Sequence, residues 1–115
     1  MLIFFISLFT LFFSSSTQVP TAHPRTICEI FGTAFEEKNV FAATYRVYLE
    51  EDEYSADLVV FQETNELMAD DTGLWFFTRN RAFSEFTVCF VEDRNMADFT
   101  VYFTEIDVEA RCNRQ

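Results

Sequence analysis

The sequence predicts a small all-β domain built from units of about 13 residues. Three observations carry that prediction. Two independent landmarks recur at one period, the apolar runs are short and β-favouring, and the segments between them are too short for helices. Segments opening Val47-Tyr48, Val60-Phe61, Trp75-Phe76, Val88-Cys89 and Val101-Tyr102 start 13, 15, 13 and 13 residues apart. The second landmark is a small residue followed by a polar one, at Ala56-Asp57, Ala69-Asp70, Ser84-Glu85, Ala97-Asp98 and Ala110-Arg111, and it keeps the same spacing. Counting back 13 from Ala56 reaches Ala43, so about six units run from near Ala34 onward. The one long spacing is accommodated by two extra residues in Asp71-Thr72-Gly73.

Each unit reads alike. A run such as Leu58-Val59-Val60-Phe61 or Thr100-Val101-Tyr102-Phe103 comes first. Runs of 4–6 residues rich in β-branched and aromatic side chains read as strands. A polar stretch follows, such as Glu63-Thr64-Asn65-Glu66 or Glu92-Asp93-Arg94-Asn95. One large apolar anchor and the small-acidic pair then lead into the next strand. An amphipathic helix needs a stripe at 3.6 spacing over ten or more residues, and a period of 13 has room for one strand and one turn. Expected strand centres are Val47, Val60, Trp75 or Phe76, Cys89 and Val101. Side chains alternate faces along a strand, so Tyr48, Phe61, Phe76, Cys89 and Tyr102 form one row, and either this row or its neighbour faces inward. Tight two-residue hairpins favour Asn-Gly or Asp-Gly. Neither dipeptide occurs, and the chain has only 2 Gly and 2 Pro. Wider connections built from Asn, Asp and Glu point to stacked or crossing-over repeats in preference to a plain meander.

The 115 residues allow one domain at most. Residues Leu2 to Phe13 are apolar apart from Ser7 and Thr10. Such a run is too short to span a bilayer, which takes about 20 apolar residues, and it fits the core of a secretory signal peptide. Ser14-Ser15-Ser16 suits cleavage after Ser16. The reading is therefore a signal peptide over 1–16, a leader over 17–27 and a β-repeat domain over 28–115, secreted and without a membrane anchor. All 19 acidic and 8 basic side chains lie beyond residue 16, so the net charge stays at −11. That balance argues against nucleic acid and anionic membranes, which call for a basic patch. It favours solubility, cationic partners or loosely held cations, with a solvated acidic surface as the reading adopted. Of the 16 Phe, 11 lie beyond the opening run, with 4 Tyr and Trp75. A domain of this size needs such side chains to bury enough apolar area against the entropy of ordering.

The pattern of β run, acidic turn, large residue, Ala-Asp and β run resembles the septoil knot domain family. It is carried by the segments from Val47 to Phe61 and from Val88 to Phe103, and it extends over roughly residues 34 to 112. The resemblance implies a small, repetitive, all-β chain threaded into a seven-crossing knot. No spacing argument implies a knot, because knotted chains are very rare. The resemblance implies no catalytic activity. Two units depart from the pattern, with Ser84-Glu85 in place of Ala-Asp and Arg111 in place of the acid.

Asp57, Asp70, Glu85 and Asp98 take equivalent positions and are the leading candidate for a site. A row of carboxylates can hold a hard cation through oxygen ligands. An Asp at a turn-to-strand junction can instead accept backbone N–H groups or pair with Arg79, Arg81, Arg94 or Arg111, and this structural role is the reading adopted. Calcium-loop motifs with Gly at fixed offsets are absent, so no metal and no cofactor are expected. No catalytic residue is expected either: the one histidine, His23, lies in the leader, and a Ser or Cys nucleophile needs a base beside it. The alternative is a metal-binding or hydrolytic enzyme that uses the equivalent carboxylates. Cys28 and Cys112 flank the repeats and form the expected disulfide, contributing roughly 4 kcal/mol in the chain-entropy model. Cys89 falls at an aromatic position of the repeat and reads as a free, buried thiol. The function expected is an extracellular structural or protein-interaction module, with an extracellular protein or a cationic ligand as partner.

Overall fold

The computed structural model describes residues 26–114. The proposed signal peptide, its cleavage site and all but the end of the leader lie outside them. Seven strands form, all from the repeat: β1 (Gly32–Glu36), β2 (Tyr45–Leu49), β3 (Leu58–Gln62), β4 (Leu74–Phe77), β5 (Phe86–Val91), β6 (Phe99–Thr104) and β7 (Arg111–Cys112). Among the described residues the only helical pieces are five three-residue 3-10 turns. Every expected strand centre lies in a strand.

The strands are ordered β4-β1-β5-β2-β6-β3-β7, and β3 also pairs with β4. That extra pairing closes the sheet into a barrel. The six long strands pair only in parallel, and β7 alone is antiparallel, against Leu58 and Val59 of β3. Numbering the ring positions from β4 puts β1, β2 and β3 at one, three and five, and β5, β6 and β7 at two, four and six. Each connection therefore advances the chain by two of seven positions, always in the same direction. The chain circles the barrel once to lay down β1, β2 and β3, then fills the gaps with β4, β5 and β6. Parallel strands are ordinarily joined through a dozen or more residues, yet five of the six connections here have eight or fewer. Eight extended residues reach about 27 Å, enough to return along a five-residue strand of about 17 Å and to shift sideways past one neighbour.

A turn of one kind makes these returns possible. Main-chain bonds run from Ala42 N to Asn39 O (3.0 Å), Ser55 N to Asp52 O (3.1 Å), Met68 N to Asn65 O (3.0 Å), Phe83 N to Asn80 O (3.0 Å), Met96 N to Asp93 O (2.9 Å) and Glu109 N to Ile106 O (3.0 Å). In the first five, the Asn or Asp side chain also accepts the N–H two residues on. This Asx geometry takes up a donor that a tight turn leaves unpaired.

Three layers of side chains fill the barrel. The middle layer holds Ala34, Val47, Val60, Trp75, Val88 and Val101, each 0% exposed. The lower layer, at the start of the strands, has Tyr45, Leu58, Phe86 and Phe99, with Tyr45 edge-on to both Phe86 and Phe99. Trp75 Nε1 donates to Ile30 O at 2.8 Å, which satisfies the one polar atom of the largest core side chain. The inward row is thus Val47, Val60, Trp75, Val88 and Val101. Its neighbour, Tyr48, Phe61, Phe76, Cys89 and Tyr102, forms the outer face and is half-buried except for the buried Cys89.

The large apolar residues of the turns do not pack inward. Tyr54, Met68, Phe83 and Met96 are all more than half exposed, whereas Ala56 and Ala69 are buried. The small residue is the one drawn under the turn. The bulge at Asp71-Thr72-Gly73 takes up the two extra residues between β3 and β4, and Gly73 is where it is tightest. This glycine has φ +80, and a Cβ there would lie 2.7 Å from Val59 O and 3.0 Å from Arg111 N. The chain bulges here because β7 enters the ring beside β3.

Candidate functional site

The predicted acidic residues sit at the lower rim, where each connection enters its strand. Asp57 precedes β3 and turns to β6: Thr100 N donates to Asp57 Oδ2 at 3.0 Å, and Asp57 N donates to Thr100 Oγ1 at 2.9 Å. Asp98 precedes β6 and turns to β2: Arg46 N donates to Asp98 Oδ2 at 2.7 Å, and the Arg46 guanidinium reaches Oδ1 at 3.2 Å. Thr44 precedes β2 and repeats the exchange with Thr87 of β5, at 2.8 Å and 3.2 Å. Glu85 precedes β5. Its N–H donates to Thr33 O of β1 at 2.7 Å, and its carboxylate packs over Gly32, where φ is +117.

These contacts form a girdle, one residue per seam, and each reaches the strand on the same side. The structure spreads Asp57, Glu85 and Asp98 around the rim and does not gather them into a cluster. Asp70 departs from the set. The bulge at Asp71-Thr72-Gly73 separates it from β4, so Gly73 takes the position directly before the strand. Asp70 is exposed, and its carboxylate accepts no hydrogen bond among the described residues. Asp70 is therefore not equivalent to the other three. Among the described residues, no group of three or more His, Cys, Asp or Glu side chains is placed to share a metal ion.

Of the arginines, Arg46 and Arg114 serve the row, while Arg81, Arg94 and Arg111 choose partners outside it. Arg114 pairs with Asp57 at 3.0 Å, but Arg81 pairs with Glu37, Arg94 with Glu50 and Arg111 with Glu53. Glu37 and Glu50 each follow a first-circuit strand, and Arg81 and Arg94 each lie in a second-circuit turn. The two pairs are one repeat apart, and both tie the first circuit to the second. The Glu50 side chain is only 8% exposed, and its Oε2 faces Arg94 with no other donor in reach. The 13-residue spacing of Glu37 and Glu50, and of Arg81 and Arg94, is visible in the sequence and signals this device. Arg79 is the one cation without an acidic partner among the described residues.

A concave site lies at the opposite end of the barrel. The upper layer alternates around the ring: Phe77, Glu36, Phe90, Leu49, Phe103, Gln62. The three Phe come from β4, β5 and β6, and the other three residues end β1, β2 and β3. Phe77, Phe90 and Phe103 form a triangle with centroids 6.5, 6.2 and 6.1 Å apart. They close the core below and leave a half-buried aromatic floor above. The resulting dish has a volume of about 510 Å³. Leu49 stands on its rim at 45% exposure, with Glu36, Gln62, Thr78 and Arg79. Periodicity locates each of these residues singly, but only the interleaving of the two circuits brings the three Phe together.

Cys28 and Cys112 lie at disulfide distance, S–S 2.02 Å, with Cα atoms 5.3 Å apart. Cys89 is a free, buried thiol.

One protein-family description matches the chain: the 7(1) septoil knot domain, over residues 27–113. No curated protein and no solved structure matches it.

Proposed function

The chain belongs to the septoil knot domain family, and from that premise we propose that it is a secreted, non-enzymatic interaction module whose recognition surface is the aromatic dish. The observation that carries this reading is the half-buried triangle of Phe77, Phe90 and Phe103 that floors a concave end of the barrel. Interface centres are enriched in aromatic side chains, and concave sites with a few polar groups are where binding concentrates.

The partner is an extracellular protein that presents an apolar side chain beside a Lys or Arg. Three features support this. The Phe faces attract a cation, Glu36 on the rim offers a carboxylate, and the net charge of −11 steers basic surfaces toward the molecule. Arg79 on the same rim gives a partner carboxylate one place to bind, which fixes orientation. Export rests on the apolar run Leu2 to Phe13, and a cysteine pair at disulfide distance fits an oxidising compartment.

The test is capture from the secreted fraction with immobilised protein, wild type against Leu49→Glu. Leu49 is half exposed, so the variant keeps the fold. The reading expects a partner held by the wild type, released by salt and lost from the variant. A partner held equally by both would place recognition elsewhere on the molecule.

A further inference from the structure

We propose that the Cys28–Cys112 disulfide supplies the seventh step of the winding, and so turns the domain into a covalently closed knot that survives unfolding. The argument is one of position. From β1 at ring position one, six connections of two positions each bring the chain to β7 at position six. The disulfide joins Cys112, in β7, to Cys28, four residues ahead of β1. Passing from position six through the bond to position one is again an advance of two on a ring of seven, in the same direction.

Seven advances of two positions close a seven-position ring after two circuits, the last two meeting at β7, which runs antiparallel to the other six strands. A closed path that winds twice in this way crosses itself seven times. The path from Cys28 to Cys112 and back through sulfur is a complete circuit, whatever chain precedes Cys28 or follows Cys112. All seven strands lie within it.

The bond therefore does more than shorten a loop. A chain without it can lose its threading when the ends withdraw, and it must thread again on refolding. A closed circuit keeps its knot type until a covalent bond breaks. Loop-closure entropy alone stabilises any ring of this size equally, threaded or not, so the two accounts part on one comparison.

That comparison uses two rings of identical covalent structure. Cys89→Ala removes the third thiol in both. The first ring is the folded, oxidised protein, later unfolded in guanidinium. The second is made by reducing and fully unfolding the protein, then closing Cys28 to Cys112 in guanidinium. Oxidised glutathione accepts the two electrons and, with the two thiol protons, leaves as two molecules of reduced glutathione. Both rings have one mass and one disulfide map. We expect the first to run faster on a denaturing gel and to refold on dilution without reductant. The second should fail to regain the native spectrum until its disulfide is reduced. Equal mobility together with equal refolding of the two rings would overturn the proposal, because an unthreaded closed ring cannot acquire a knot.

Discussion

Asp57 and Thr100 exchange three hydrogen bonds across the seam between β3 and β6. Thr100 N donates to the Asp57 carboxylate, while Asp57 N is shared between the carbonyl and the hydroxyl of Thr100, at 3.1 and 2.9 Å. Thr44 and Thr87 make the same exchange two seams away through hydroxyls alone. The acid is thus one of two chemical solutions to a single geometric need. An extended N–H at the lower rim has no strand partner left, and an oxygen from the entering connection must meet it.

That need sets an order among substitutions in the girdle. Asp98→Ala strips the acceptor from Arg46 N and should cost about 1.5–3 kcal/mol, the range for hydrogen bonds to charged groups. Asp98→Asn keeps an oxygen and loses mainly the half-exposed ion pair to Arg46, worth about 0–1 kcal/mol. Asp70→Ala, at an exposed carboxylate without a partner, should stay within about 0.5 kcal/mol. Guanidinium unfolding of the three variants checks the series. Equal losses for Asp98→Ala and Asp70→Ala would mean that the girdle does not act through its hydrogen bonds.

The Glu50–Arg94 pair predicts a different pattern. Arg94→Ala leaves a carboxylate that is 8% exposed without its counter-charge, at an expected cost of about 1–3 kcal/mol. Pairing it with Glu50→Gln removes the stranded charge. The double variant should then be more stable than Arg94→Ala alone, and a double-mutant cycle reads this as a coupling. Strictly additive losses would leave the pair without energetic weight.

Much of this was legible in the chain and some was not, for physical reasons. The period marked every strand centre from Val47 to Val101, because one strand and one turn fill 13 residues. It also placed Cys28 and Cys112 at the two ends of the repeat. Which row faces inward was open in the sequence, since Tyr48 and Val47 are both apolar, and packing settles it by burying the smaller β-branched set around Trp75. Asp70 looks like Asp57 in a one-dimensional alignment. The bulge at Gly73 breaks the likeness, and its cause, β7 entering beside β3, is more than 35 residues away in the chain. Period alone carries no information on the step of two positions, so the aromatic dish and the Arg81–Glu37 and Arg94–Glu50 pairs emerge only when the second circuit is laid between the strands of the first.

Removing divalent cations should leave the fold untouched. The carboxylates of the girdle are spread over separate seams, and those of Asp57 and Asp98 are bonded to N–H groups. A chelator should therefore not move the melting temperature of the wild type, by calorimetry or by the fluorescence of the single, fully buried Trp75. A drop of several degrees on adding chelator, reversed by calcium, would reinstate the carboxylates as ligands.

Gly73 gives the sharpest single-site expectation. Its φ of +80 lies where side chains are disfavoured, and a Cβ would meet main-chain atoms on both sides, Val59 O at 2.7 Å and Arg111 N at 3.0 Å. Neither atom belongs to a flexible side chain that can swing aside. Gly73→Ala should therefore cost more than the roughly 1 kcal/mol that a positive φ imposes on a residue with a side chain, because β3 and β7 must also part. Gly32→Ala is the control. Its φ of +117 is also unfavourable, but the nearest obstacle is the Glu85 carboxylate, the far end of a flexible side chain. Gly32→Ala in a Glu85→Ala background should recover part of its loss, and no second-site truncation at Ala110 should do the same for Gly73→Ala, since Val59 O stays in place. Urea unfolding of the four variants decides the matter: a Gly73→Ala protein as stable as the wild type would show that β7 does not press on the bulge.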